Sequence, residues 1–148
     1  MELRRSKAEV YLHLVWATKG RQPLIAPEIE REIHRCIETE VRQLGCDVLA
    51  IGGMPDHVHL VIKLPTKLAI AALMKQVKGV SSAFANDLNQ HNTLFRWQEG
   101  YGVLSVSRPH LSKVISYVGN QKRHHAANKL WIEWEETTQI VVSDNHVA

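Results

Sequence analysis

Residues 55–62 read PDHVHLVI, and this short run restricts the possible folds more than any other stretch of the chain. Its branched residues favour extended backbone, in which successive side chains alternate between faces. His57 and His59 therefore share one face, roughly 7 Å apart along the strand. Val58, Leu60, Ile62 and Leu64 share the other. The pattern dictates a sheet with one apolar face bound for a core and one face carrying imidazoles. Those imidazoles either do chemistry or decorate a solvated surface.

The rest of the chain supplies such a sheet. Residues 10–17 (VYLHLVWA) predict a first strand. Pro27 opens a helix in which Ile29, Ile33, Ile37, Val41 and Leu44 recur at helical spacing, with Gly45 placed to end it. Residues 46–51 predict a second strand, and Gly52, Gly53, Met54, Pro55 and Asp56 a turn into the histidine strand. Thr66 is placed to cap a long helix with Ile70, Leu73, Val77, Val80, Phe84 and Leu88 as its apolar stripe. Gly79 inside that helix costs about 1 kcal/mol relative to Ala, which marks close packing or a bend. A loop over 89–100 leads to a fourth strand over 101–107, and Ser107-Arg108-Pro109 starts a last helix running to about residue 127. The order β-α-β-β-α-β-α predicts an α+β fold. Its first six elements match the ferredoxin-like arrangement, a four-stranded antiparallel sheet with helices on one face, to which a C-terminal helix is added. That topology makes the first and third strands central neighbours, so the strand of His13 lies beside the strand of His57 and His59.

With 148 residues, 45% of them hydrophobic and 22% charged, the chain reads as one domain over 1–148, its last stretch from about 129 to 148 forming a tail. Cys36 and Cys46, each among apolar neighbours, argue against a disulfide scaffold or a cysteine-rich zinc site. The basic N-terminus lacks the features of a signal peptide, and no apolar run approaches the ~18 residues of a membrane span. A cytoplasmic setting with no membrane partner is the expectation. The net charge of +3 permits nucleic-acid binding without demanding it. Basic residues cluster at Arg4, Arg5 and Lys7, at Lys19 and Arg21, at Lys75 and Lys78, and over Lys122, Arg123, His124 and His125. Acidic residues gather in 28–40 and 133–136. Any one cluster taken alone also fits a solvated face.

Two imidazoles on one strand face can bind a metal only with at least one further donor. The last helix offers one. In SKVISYVGNQKRHHA, Tyr117 and Gln121 are four residues apart, hence on one helical face with roughly 6 Å of rise between them. A tyrosine one turn from an amide-oxygen ligand is placed to attack a centre that the metal polarises. The residues equally fit a buried tyrosine among Val114, Ile115 and Val118 and a surface glutamine. A histidine-triad nucleotide hydrolase would require a third histidine at position 61, where the chain has Val61.

PDHVHLVI followed by YVGNQKRHH resembles the HUH-type single-tyrosine transposases of small insertion sequences, including relatives associated with repetitive extragenic palindromes. VYLHLVWATKGRQPLI is similar to that family's opening strand and its Lys-x-Arg exit. MKQVKGVSSAFAN resembles its second helix and FRWQEGYGVLSVS its fourth-strand region. The resemblance implies a transposase that cuts and rejoins single-stranded DNA through a 5′-phosphotyrosine intermediate, without ATP. His57 and His59 match the paired metal ligands, Gln121 the third ligand and Tyr117 the nucleophile. The implied cofactor is Mg²⁺ or Mn²⁺, and the implied partners are hairpin ends of the protein's own element and a second copy in a homodimer. Lys19, Arg21, Lys75, Lys78, Lys122 and Arg123 are the expected phosphate contacts. Phe95 and Trp97, around Arg96, either stack on bases or pack as core. The alternative function is a non-catalytic or domesticated DNA- or RNA-binding module of ferredoxin-like fold. The tail departs from the family pattern; its Trp131, Ile132, Trp134, Ile140 and Val141 are too apolar for a solvated tail and are expected to pack on the sheet, the partner chain or the tyrosine helix.

Overall fold

Alternation along the histidine strand divides the molecule into two layers. The computed structural model describes residues 6–88, 93–126 and 132–137, with Ile132 and Glu133 described by their backbone alone. Arg4, Arg5, Trp131, Ile140 and Val141 lie outside the described residues. Strands β1 (Tyr11–Ala17), β2 (Asp47–Met54), β3 (His57–Lys63) and β4 (Gly102–Val106) form one antiparallel sheet in the order β2-β3-β1-β4. The expected ferredoxin-like topology is therefore present, with β1 and β3 at the centre.

Leu12, Leu14 and Trp16 of β1 and Val58, Leu60 and Ile62 of β3 enter one core with helices α1 (Pro27–Gln43) and α2 (Ile70–Leu88). Helix α1 starts with Pro27, whose missing N–H is no loss in a first turn. It buries Ile33, Ile37 and Val41. Its end is closed by Gly45 at φ +94°, a conformation that a side chain would strain. The opposite sheet face carries the histidines and is covered by α3 (Leu111–Gly119) and α4 (Gln121–Ala126). There Val61, the residue that rules out a histidine triad, packs with Val114, Tyr117 and Val118. No helix among the described residues is long and apolar enough to cross a membrane.

Local expectations differ from this structure in five places. Gly52, Gly53 and Met54 belong to β2, paired with His59, Val58 and His57, and only Pro55 and Asp56 form the turn. Thr66 lies in a separate turn and does not cap α2, which begins at Ile70. The buried stripe of α2 is Leu73, Met74, Val77, Ser81 and Ala85, while Val80, Phe84 and Leu88 are half-buried. Ser81 is drawn inward because its Oγ accepts a 2.9 Å hydrogen bond from Trp97 Nε1. A Cβ at Gly79 would touch nothing, so that glycine does not mark close packing. Finally, the last helix breaks at Asn120, where φ is −115° and ψ is 31°. Its side-chain amide donates to Ser116 O at 2.8 Å, local competition that favours ending the helix there.

Candidate metal and tyrosine site

Both histidines of β3 are buried, and each uses its two ring nitrogens in the same way. His57 Nδ1 lies 2.7 Å from Asp56 Oδ1, in the turn just before it. His59 Nδ1 lies 2.7 Å from Nε2 of His13 on the neighbouring strand. The cross-strand register explains the second contact: Val15 faces His59, so His13 sits diagonally two residues away. With both Nδ1 atoms engaged, both Nε2 atoms point toward the space under α3 and α4.

That space is closed by helix residues. Gln121 is 2% exposed, and its Oε1 lies 3.3 Å from His57 Nε2 and 3.1 Å from His125 Nε2. Its amide nitrogen donates to Tyr117 O at 3.3 Å. Tyr117 is 3% exposed, with its ring edge-on to His59 at 6.0 Å between centroids and stacked on His124 at 4.8 Å. The close approach of α3 to the sheet depends on Gly52, where a Cβ would lie 2.0 Å from Val118 O.

A short segment of the tail completes the arrangement. Helix α5 (Ile132–Glu135) sets Trp134 edge-on to both His13 and Tyr117, at 5.8 and 5.0 Å. Of the three expected packing places for Trp134, it therefore takes the sheet and the tyrosine helix. Glu135 reaches three imidazoles: Oε1 lies 3.5 Å from His57 Nε2 and 2.8 Å from His125 Nε2, and Oε2 faces His59 Nε2 closely. The carbonyl of Glu136 then fills the space where a Cβ on Gly102 would sit, 2.2 Å away.

These groups differ in charge. Burial pushes His13 down to about 3, and burial also holds His59 below the usual imidazole value despite Glu135. Burial works against a charged His57 too, but the hydrogen bond to Asp56 and the nearby Asp56 and Glu135 carboxylates outweigh it and raise His57 to about 9. Glu135 is likewise raised by burial but more strongly lowered by His57 and His59, and stays well below the usual carboxylate range. Asp56 is lowered chiefly by its hydrogen bond to His57.

The donor set fits a metal ion. One ligand atom each from His57, His59 and Glu135 lies within 4.8 Å of the others. His59 Nε2 and both Glu135 oxygens are buried and close together, yet none makes a well-formed hydrogen bond. Buried ligand atoms that converge in this way are what a cation can satisfy once the imidazole proton has left, and imidazole with carboxylate suits a divalent one. Glu135, His125 and His13 were not among the ligands and nucleophile expected from the sequence. The acidic run at 133–136 and the basic block ending in His125 were visible there, but nothing local indicated that the two meet.

The residues expected to contact DNA are dispersed. Lys19 and Lys75 are exposed, as is Arg123. Arg21, at φ +55°, lies 3.8 Å from Asp56 at the rim of the site. Lys122 pairs with Glu30 at 2.6 Å, and Lys78 donates to the carbonyls of Gln98 at 2.7 Å and Gly100 at 3.0 Å. Phe95 and Trp97 are buried in the main core, so of their two readings the core reading holds.

Residues 6–121 match the family model described as transposase, IS200-like. The chain is 26% identical over 129 residues to the ISDra2 transposase TnpA of Deinococcus radiodurans, covering 82% of this chain and 92% of that protein. It is 24% identical over 115 residues to the transposase for insertion sequence element IS200 of Salmonella typhimurium, covering 74% of each. Among solved structures, a transposase candidate from Deinococcus radiodurans aligns with a TM-score of 0.64 at 26% identity, covering 82% of this chain and 97% of that one. A REP-associated tyrosine transposase bound to a REP hairpin aligns over 100% of this chain and 99% of its own with a TM-score of 0.60; at 12% identity it shares the fold.

Proposed function

The chain belongs to the IS200-like transposase family, and from that premise we propose that it cuts and rejoins single-stranded DNA through Tyr117. The meeting of Tyr117 and Gln121 with His57 and His59 on one sheet face of one chain carries this reading. Tyr117 Oη attacks the scissile phosphorus; the Oη–P bond forms as the P–O3′ bond breaks. The tyrosine proton is lost, and the departing 3′ oxygen gains one to become a 3′-hydroxyl. Attack by another DNA 3′-hydroxyl reverses the exchange, and one phosphodiester replaces another, so no ATP is needed.

A free tyrosine titrates near 10 and is a poor nucleophile at neutral pH. A divalent cation, Mg²⁺ or Mn²⁺, supplies charge neutralisation and orientation of the scissile phosphate when bound. His57 and His59 would hold it through Nε2 and Gln121 through its amide oxygen, with Glu135 able to contribute a carboxylate oxygen. Asp56 orients His57, and the turn of α3 into α4 fixes Tyr117 against Gln121. Arg21 at the rim, with the exposed Lys19, Lys75 and Arg123, binds DNA phosphates; Lys78 and Lys122 contribute once freed from their internal partners.

The relative bound to a REP hairpin supports hairpin ends of the protein's own element as the DNA recognised. We read residues 1–148 as a single transposase domain, 129–148 as its tail, acting as a homodimer in the cytoplasm.

The test incubates wild-type protein and Tyr117→Phe with single-stranded DNA from the flanks of the gene, with Mg²⁺ or Mn²⁺. A denaturant-resistant protein–DNA adduct is expected for the wild type and not for the variant. An adduct persisting in Tyr117→Phe overturns the nucleophile. Tight binding with no adduct from either protein replaces the enzyme with a binding module.

A further inference from the structure

We infer that His13 is a positioning residue that sets the metal-binding end of His59; the inference rests on the reading above that His57 and His59 hold a cation. His13 is 1% exposed on the centre of the sheet, and its only hydrogen-bond partner among the described residues is His59, at 2.7 Å. The contact repeats on His59 what Asp56 does for His57: a neighbour takes Nδ1 and leaves Nε2 for the site. The other nitrogen of His13, Nδ1, is buried without a partner among the described residues. The residue borders a pocket of about 180 Å³ lined in part by Ser105, His110 and Trp134. A buried imidazole with one unsatisfied nitrogen is a poor choice for packing, because desolvation of that atom is not offset. Its presence is explained by the one bond it makes.

That bond has to work in two directions. When His59 Nε2 faces the Glu135 carboxylate, it carries the ring proton, and His59 Nδ1 accepts from His13 Nε2–H. When His59 presents its Nε2 lone pair to a cation, its proton sits on Nδ1 and His13 Nε2 must accept. The proton of His13 then sits on Nδ1, where no group among the described residues opposes it. Each ring keeps one proton in both arrangements. An apolar residue serves neither arrangement, and an ionised carboxylate only the second.

The test compares wild type, His13→Gln and His13→Phe, each first shown to melt cooperatively. Phe keeps the ring shape and loses the bond, while Gln can donate or accept. Mn²⁺ affinity read by electron paramagnetic resonance is expected to fall roughly 10–100-fold in His13→Phe, the usual effect of losing a ligand's outer partner. It is expected to return to within a few-fold of wild type in His13→Gln. A folded His13→Phe that binds Mn²⁺ as tightly as wild type overturns the inference, and so does a His13→Gln as weak as His13→Phe. Wild-type protein that binds no Mn²⁺ overturns the metal reading instead. His13 is then judged by ¹H–¹⁵N correlation spectra of the metal-free protein. Redistribution of the His59 tautomers in His13→Phe supports its positioning role, and an unchanged tautomer pattern overturns it.

Discussion

His57 is set apart from the imidazoles beside it by its charge. Burial keeps His13 and His59 neutral, whereas the Asp56 and Glu135 carboxylates hold a proton on His57 up to about pH 9. Its folded value lies above the ordinary 6.5. The protonated ring therefore stabilises the folded protein fully below 6.5, and that contribution disappears as pH rises through 9. Metal-free protein is expected to lose urea resistance across this window, and His57→Asn to lose much less. Equal slopes for the two proteins would remove the charged His57. A cation at Nε2 must displace the same proton, so Mn²⁺ affinity is expected to rise with pH across the window, by up to about tenfold per unit. At this scale the sequence was legible for His57 and His59, because strand alternation alone puts them on one face. Asp56 adjoins them in sequence, yet its role depends on a turn two residues long. The expected five-residue turn would have placed Asp56 differently.

Glycines decide how closely elements approach, and two of them have opposite consequences. At Gly52 a Cβ would fall 2.0 Å from the Val118 carbonyl, a backbone atom that cannot yield without moving α3 off β2. Gly52→Ala is expected to cost about 1–3 kcal/mol as an overpacked contact, and to weaken Mn²⁺ binding as Gln121 retreats. At Gly79 a Cβ would meet nothing, so Gly79→Ala is expected to gain up to about 1 kcal/mol in helix propensity. Chemical denaturation measures both, and the same sign for both variants contradicts the packing described. Strand and helix order was readable from periodicity, since each long element buries one face. The interior of α2 was not, because Ser81 is buried for the sake of Trp97, a partner sixteen residues away. The break at Asn120 was not legible, because the sequence spacing of Tyr117 and Gln121 suggests one continuous helix.

Over the whole molecule, the part of the site least legible in sequence is the tail. Trp134 and Glu135 return to the open sheet face across a long separation from His13, His57 and Tyr117, and no local pattern encodes such a meeting. The resemblance that identified Tyr117 and Gln121 also fails there, so it offered no help with Glu135. Their return has a consequence for assembly. His57, His59 and Glu135 of one chain offer ligand atoms within 4.8 Å of one another, Gln121 touches His57 and Tyr117 lies beside His59, so the proposed site draws all its groups from a single copy. Cleavage within one chain is therefore expected even if two copies associate. The measurement mixes two inactive proteins, Tyr117→Phe and the double variant His57→Ala/His59→Ala, after co-refolding so that subunits exchange. Sites made within one chain stay dead in every combination, because each chain lacks either nucleophile or ligands. Sites shared between chains would recover in mixed dimers, roughly a quarter of wild-type adduct if pairing is random and each mixed dimer holds one intact site. No recovery is expected, with size-exclusion chromatography confirming that mixed dimers formed; recovered adduct would move Tyr117 onto the site of its neighbour.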